Sequence, residues 1–104
     1  MFGQIEQVRF LKCIAVPTRM QILGLLAKSQ EKCVCEIVDV LGKEQSLISY
    51  HLAKLKKCNI ISMRQENQKK YYSITDPRIS KLVLDIYSLV TDIQLCNREA
   101  QIDQ

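Results

Sequence analysis

The chain has no tryptophan, one histidine, three glycines and two prolines in 104 residues. A single imidazole, His51, excludes a histidine-rich metal site, and the lack of tryptophan argues against an aromatic cage. So few helix breakers, with 47% hydrophobic and 25% charged residues, describe a folded, mostly helical domain rather than a disordered tail. No apolar run approaches the ~18–20 residues that span a bilayer. The start, MFGQIEQVRF, lacks the charged region, apolar stretch and cleavage site of a secretory signal. A single cytoplasmic domain over residues 1–104, with no membrane partner, is expected. There is also no glycine-rich phosphate loop and no pair of acids near a nucleophile, so nothing here builds an enzyme.

Cysteine, by contrast, is plentiful. Five thiols, an odd number, without a secretion signal argue against a disulfide framework. Reduced thiols, metal ligands or redox sensors remain. Cys33 and Cys35 stand one residue apart in EKCVCEIV. Inside a regular helix, residues two apart point ~200° from each other and cannot share an ion. At a helix start the first residue is not yet helical, so both sulfurs can turn to one site. Unpaired N–H groups there, with Lys32 beside them, are expected to lower the thiol pKa. Thiolate both binds soft metals and oxidises. The competing reading is two small packing residues, since free cysteine is often buried.

Charge is concentrated. Residues 43–71 hold Lys43, Lys54, Lys56, Lys57, Arg64, Lys69 and Lys70 against Glu44 and Glu66, a net +5, while the rest of the chain carries −1. Such a patch suits a polyanion, nucleic acid first.

Apolar spacing predicts helices over about 4–15, 17–28, 34–41 and 45–57. Ile22, Leu25 and Leu26 point inward on the second, and Ile48, Leu52 and Leu55 on the fourth. Pro17 suits a first helical turn, Gly42 stops the third helix, and Asn59 suits a left-handed cap after the fourth. IISMRQ and KKYYSI read as a β-hairpin over about 60–74, with Asn67 taking positive φ in the turn. A last helix, about 78–98, repeats Ile79, Leu82, Ile86, Leu89 and Ile93 in steps of three and four. That seam, extended to Cys96 and joined by Ile5 and Val8 of the first helix, predicts a homodimer interface. The fold class is therefore mainly α with a β-hairpin wing, a winged helix–turn–helix.

On the fourth helix, Gln45, Ser46, Ser49, Tyr50, His51, Lys54 and Lys57 are candidate contacts to base edges or phosphates. On the wing the candidates are Arg64, Lys69, Lys70 and Tyr71, with either Tyr71 or Tyr72 packing inward. His51 reads as a contact to DNA or to the scaffold rather than a metal ligand. A winged helix serving as a protein-interaction module is the reading from another class, and the +5 segment opposes it.

The segments AVPTRMQILGLL, KCVCEIVDVLGKEQSLISYHLAKLKKCNII and KKYYSI resemble, in order and spacing, the ArsR/SmtB repressors of bacteria and archaea, over about residues 8–76. The resemblance implies a homodimeric repressor bound to a double-stranded operator, an inverted repeat, and released when an inducer binds. The inducer is often a metal ion or metalloid. Arsenic-sensing members often show Cys-Val-Cys-x-x-Cys, but Val38 takes the third position here. Zinc-sensing members use Asp, His and Glu on the last helix; this one has Asp85, Asp92 and Glu99 but no His. Val16 stands where an acidic residue often precedes PTR. The resemblance thus points to As(III) or Sb(III), with Cd(II) or Pb(II) as alternatives, held by Cys33 and Cys35. Cys13, Cys58, Cys96, water, hydroxide or a small thiol would supply a third bond. A disulfide or persulfide signal through Cys33 or Cys35 is the alternative within the same fold.

Overall fold

The computed structural model describes residues 2–96, with side chains from 6 to 93. Its order is α1 (Phe2–Ile14), α2 (Pro17–Ala27), β1 (Lys32–Cys33), α3 (Val34–Leu41), α4 (Gln45–Lys57), β2 (Ile61–Glu66), β3 (Lys69–Ile74) and α5 (Pro77–Cys96). Pro17 opens α2 after an extended Val16 that gives no side-chain cap. Gly42, at φ 65°, ends α3 and returns its N–H to the Val38 carbonyl at 2.8 Å. Among the described residues, Asn59 and Asn67 are the two non-glycine residues with positive φ, at 64° and 59°. Asn side chains tolerate this region better than most. One closes α4 and the other turns the wing.

The core forms where α2, α3, α4, the base of the wing and α5 converge. Ile22, Leu23, Leu26, Ile37, Ile48, Leu52, Leu55, Ile60, Ile61 and Val83 are sealed from solvent. Each such side chain contributes about 1.5–3 kcal/mol of transfer free energy. Thr75 fastens the wing's exit to the end of α4, its hydroxyl donating to Asn59 O at 2.9 Å and its N–H to Ile60 O at 3.0 Å.

Two details depart from the sequence reading. Leu25 of α2 is only half-buried, and Leu23 takes the sealed position beside Ile22 and Leu26. Among the described side chains of α5, the one sealed in the core is Val83, outside the seam. Ile79 and Ile86 are half-buried, while Leu82, Leu89 and Ile93 face outward with Val8 and Leu11 of α1. The side chains of Ile5 and Cys96 lie outside the described residues. Among the described residues no single helix is long and apolar enough to cross a membrane.

The hairpin is also not alone. Its strands pair Ile61 with Ile74 through Glu66 with Lys69, and β1 adds a third strand on the other side of β3. The sheet is antiparallel in the order β1-β3-β2, with Lys32 opposite Tyr72 and Cys33 opposite Tyr71. A two-residue strand is too short to leave an alternating pattern in sequence.

Candidate thiol site and nucleic-acid interface

Cys33 does three things at once. It is the last residue of β1, the N-cap of α3 and one of the two paired thiols. Its backbone is extended, at φ −83° and ψ 165°. Its sulfur accepts from the Glu36 N–H, and the Glu36 carboxylate accepts from the Cys33 N–H at 2.9 Å. This is a reciprocal cap with a thiol in the place usually held by a hydroxyl. The spacing C-V-C-E carried that signal in the sequence, since Glu36 stands three residues after the cap.

Cys33 is buried and Cys35 exposed. The neighbouring Cys35 thiol is the main reason the Cys33 pKa is raised; burial adds to it. The Glu36 N–H pulls the other way and does not win. The expected lowering of the thiol pKa at the helix start therefore fails for Cys33, because a neighbouring thiol and desolvation outweigh one backbone N–H. Glu36 itself is held below the usual carboxylate range, first by the Cys33 N–H.

Two thiols side by side form a soft donor pair suited to thiophilic ions. Among the described residues no three His, Cys, Asp or Glu side chains gather around one point. Neither Cys13 nor Cys58 therefore completes the Cys33–Cys35 pair. The Cys13 thiol instead donates to the Lys54 carbonyl at 3.8 Å.

On α4 the outward face carries Gln45, Ser46, Ser49, Tyr50, Lys54 and Lys57, all exposed. Leu47, also exposed, had not been singled out. The Lys54 ammonium lies 5.4 Å from the centre of the Tyr50 ring. His51 is not on this face. It is 8% exposed, and its Nδ1 accepts from Arg19 Nε at 3.0 Å. The helical turn that aims Ser49 and Tyr50 outward aims His51 at α2, which makes it scaffold rather than surface.

On the wing, Lys69 and Lys70 are exposed near the turn, Tyr71 is half-buried and Tyr72 packs into the core. Arg64 is exposed but occupied. Its guanidinium meets Glu31 and Glu66, each at 2.6 Å, and lies 4.7 Å from the centre of the Tyr71 ring. Both carboxylates raise its pKa further. Arg64, a candidate DNA contact in the sequence, braces the approach to β1 against the wing through these pairs. Glu31 gave no sign of this in sequence, because the two residues are 33 positions apart.

The profile described as "Bacterial regulatory protein, arsR family" matches residues 16–63. An uncharacterised HTH-type transcriptional regulator of Methanocaldococcus jannaschii is 43% identical over 78 residues, 75% of this chain and 88% of that protein. The chain belongs to the ArsR family. The arsenic resistance transcriptional regulator ArsR1 of Pseudomonas putida is 40% identical over 63 residues, 61% of this chain and 49% of ArsR1. Among solved structures, HlyU of Vibrio cholerae superposes with a TM-score of 0.77 at 29% identity, covering 84% of this chain and 94% of HlyU. Family and fold are those of DNA-binding transcriptional regulators. In this ArsR-family chain the helix–turn–helix is α3 and α4, and β2 and β3 form the wing.

Proposed function

We propose that this chain is a homodimeric cytoplasmic repressor that leaves its operator when Cys33 and Cys35 capture a thiophilic ion. Arsenite or antimonite is the first choice, with Cd(II) and Pb(II) behind them. Gln45, Ser46, Ser49, Tyr50, Lys54 and Lys57 of α4 enter the major groove of an inverted repeat, and Lys69 and Lys70 of the wing meet the backbone. The exposed apolar residues Val8, Leu11, Leu82, Leu89 and Ile93 are covered by the second subunit. The soft donor pair, and the likeness to a relative named for arsenic resistance, support this reading of the inducer.

The observation that carries the proposal is the position of Cys33. Drawing its sulfur toward a shared ligand with Cys35 takes that sulfur from the Glu36 N–H and loosens the first turn of α3. Cys33 also sits opposite Tyr71 on β3, so the same displacement reaches the strand that carries Lys69 and Lys70. Helix–turn–helix and wing are then disturbed together. By linkage, DNA weakens ion capture by the factor by which the ion weakens DNA binding.

An anaerobic arsenite titration of reduced protein, following the sulfur-to-arsenic ultraviolet band, tests this. Operator-length duplex DNA is followed in parallel by fluorescence anisotropy. The expected result is one ion per subunit, a band lost in Cys33→Ser and Cys35→Ser, and release of DNA at the same stoichiometry. Release by a hydroperoxide but not by arsenite or Cd(II) would sink the metalloid reading in favour of a thiol-redox signal.

A further inference from the structure

Cys13 and Cys58 are 45 positions apart in sequence and meet at the C-terminal end of α4. The Cys13 thiol donates to the Lys54 carbonyl at 3.8 Å, and the Cys58 N–H donates to the same oxygen at 3.2 Å. One carbonyl thus gathers both residues, and the Cys58 thiol acts on the Cys13 thiol, helping to raise its pKa. Cys58 is exposed while Cys13 is buried. Lys54, Lys56 and Lys57 crowd the last turn of α4. Arg19 donates to the Cys13 carbonyl at 3.0 Å, with its positive charge acting on the Cys13 thiol.

We propose that Cys13 and Cys58 are a modification site of their own, a dithiol that hydroperoxides convert to a disulfide clamping α1 to the end of α4. Cys58, the open thiol, attacks a peroxide oxygen and breaks the O–O bond. Its sulfur becomes a sulfenic acid and the leaving hydroxide takes the thiol proton to form water. The Cys13 sulfur then attacks the Cys58 sulfur, and the sulfenic oxygen departs with the Cys13 proton as a second water. Two thiols and one hydrogen peroxide give one disulfide and two waters. Arg19 meets the negative charge that forms on Cys13 during the second step.

The setting also governs reversal. Burial, before any other cause, holds the Cys13 thiol up, to about 11. A reductant reaches the exposed Cys58 sulfur first, and Cys13 must then depart as a thiolate that its surroundings disfavour. Such a leaving group departs slowly. The clamp outlasts the oxidant that made it.

The test uses the full chain carrying Cys33→Ser and Cys35→Ser, reduced and then treated with stoichiometric hydrogen peroxide. Alkylation and peptide mapping under non-reducing conditions should find residues 13 and 58 linked, with two thiols lost per chain. The oxidised chain should also unfold at a higher temperature than the reduced one, because the clamp restricts the unfolded chain. Adding Cys58→Ser, a surface change checked for native helicity by circular dichroism, should abolish both effects. Cys58 linked to Cys96 or to a second chain, or Cys13 still free once Cys58 is oxidised, would overturn the assignment. This outcome is independent of ion capture, since the variant lacks Cys33 and Cys35.

Discussion

Arg19 Nε donates to His51 Nδ1 at 3.0 Å, tying α2 to the buried side of α4. That nitrogen can accept only while it carries no proton. Burial lowers the His51 pKa first, and the charges of Arg19 and Lys43 lower it further. The unfolded chain, with an ordinary value near 6.5, therefore binds the proton more readily than the folded one. The resulting stability is fully present above pH 6.5 and is lost as pH falls toward the folded value. Unfolding midpoints between about pH 7.5 and 5 should fall more steeply for the native chain than for His51→Gln. Equal slopes would show that the histidine is not linked to folding.

The wing offers a comparison of cations. Among the described residues Lys69 and Lys70 make no ion pair, while Arg64 meets two carboxylates, Glu31 and Glu66, at 2.6 Å. Each phosphate contact contributes about 0.9 to the slope of log affinity against log salt. Lys69→Ala with Lys70→Ala should flatten that slope by about 1–2 on duplex DNA. Arg64→Ala should change it by less than half as much, because its guanidinium is already engaged by Glu31 and Glu66. An Arg64 effect equal to the lysine pair would place its guanidinium on the DNA.

Tyr87 and Gly24 make a coupled pair. The Tyr87 hydroxyl donates to Met20 O at 2.6 Å, and a Cβ added at Gly24 would lie 2.9 Å from Tyr87 Cε2. Alanine in a helix interior gains about 0.8–1 kcal/mol over glycine by propensity alone. In the native chain that gain should be cancelled or reversed by displacement of the tyrosine ring. In a Tyr87→Ala background Gly24→Ala should stabilise by close to the full amount. Urea unfolding of the four proteins at one concentration closes the cycle, and additive effects would refute the contact.

Proton accounting separates the candidate inducers. The Cys33 thiol is raised, so at pH 7 it arrives protonated. A divalent ion bound there displaces that proton, and Cd(II) affinity should rise by at least about tenfold per pH unit. Neutral arsenous acid loses hydroxides that leave with the thiol protons as water, so arsenite affinity should change little across the same range. Parallel titrations at about pH 6.5 and 7.5 provide the check. A steep arsenite profile would mean that capture does not proceed by exchange of hydroxide for thiol.

Much of the fold was legible because its elements are long and regularly spaced. The stripe Ile48, Leu52, Leu55 announced α4, and Gly42, Asn59 and Asn67 marked the stops and the turn. What escaped was non-local or very short. β1 exists only because Lys32 and Cys33 find Tyr72 and Tyr71 across the fold, and no window around residue 32 records that. Val83 was missed because two apolar stripes share α5 and the more regular one faces outward. The Cys33–Cys35 pair was visible as spacing, but the direction of its pKa depended on how close the two sulfurs come. His51 looked like a surface residue until Arg19 was placed beside it, and Arg64 like an unpaired cation until Glu31 and Glu66 were.

The central strand β3 also constrains how relatives of this protein can vary. It is bonded on both sides, so one residue inserted between Lys69 and Tyr71 would reverse its alternation, turning Tyr72 outward and Tyr71 into the core. The strand facing Cys33 would then present a different side chain to the thiols. Residues added at Asn67–Gln68 lengthen the wing without disturbing that register. Wing tips should therefore be free to diverge in length with the operators they meet, while the four residues after the turn keep step with the cysteine they oppose.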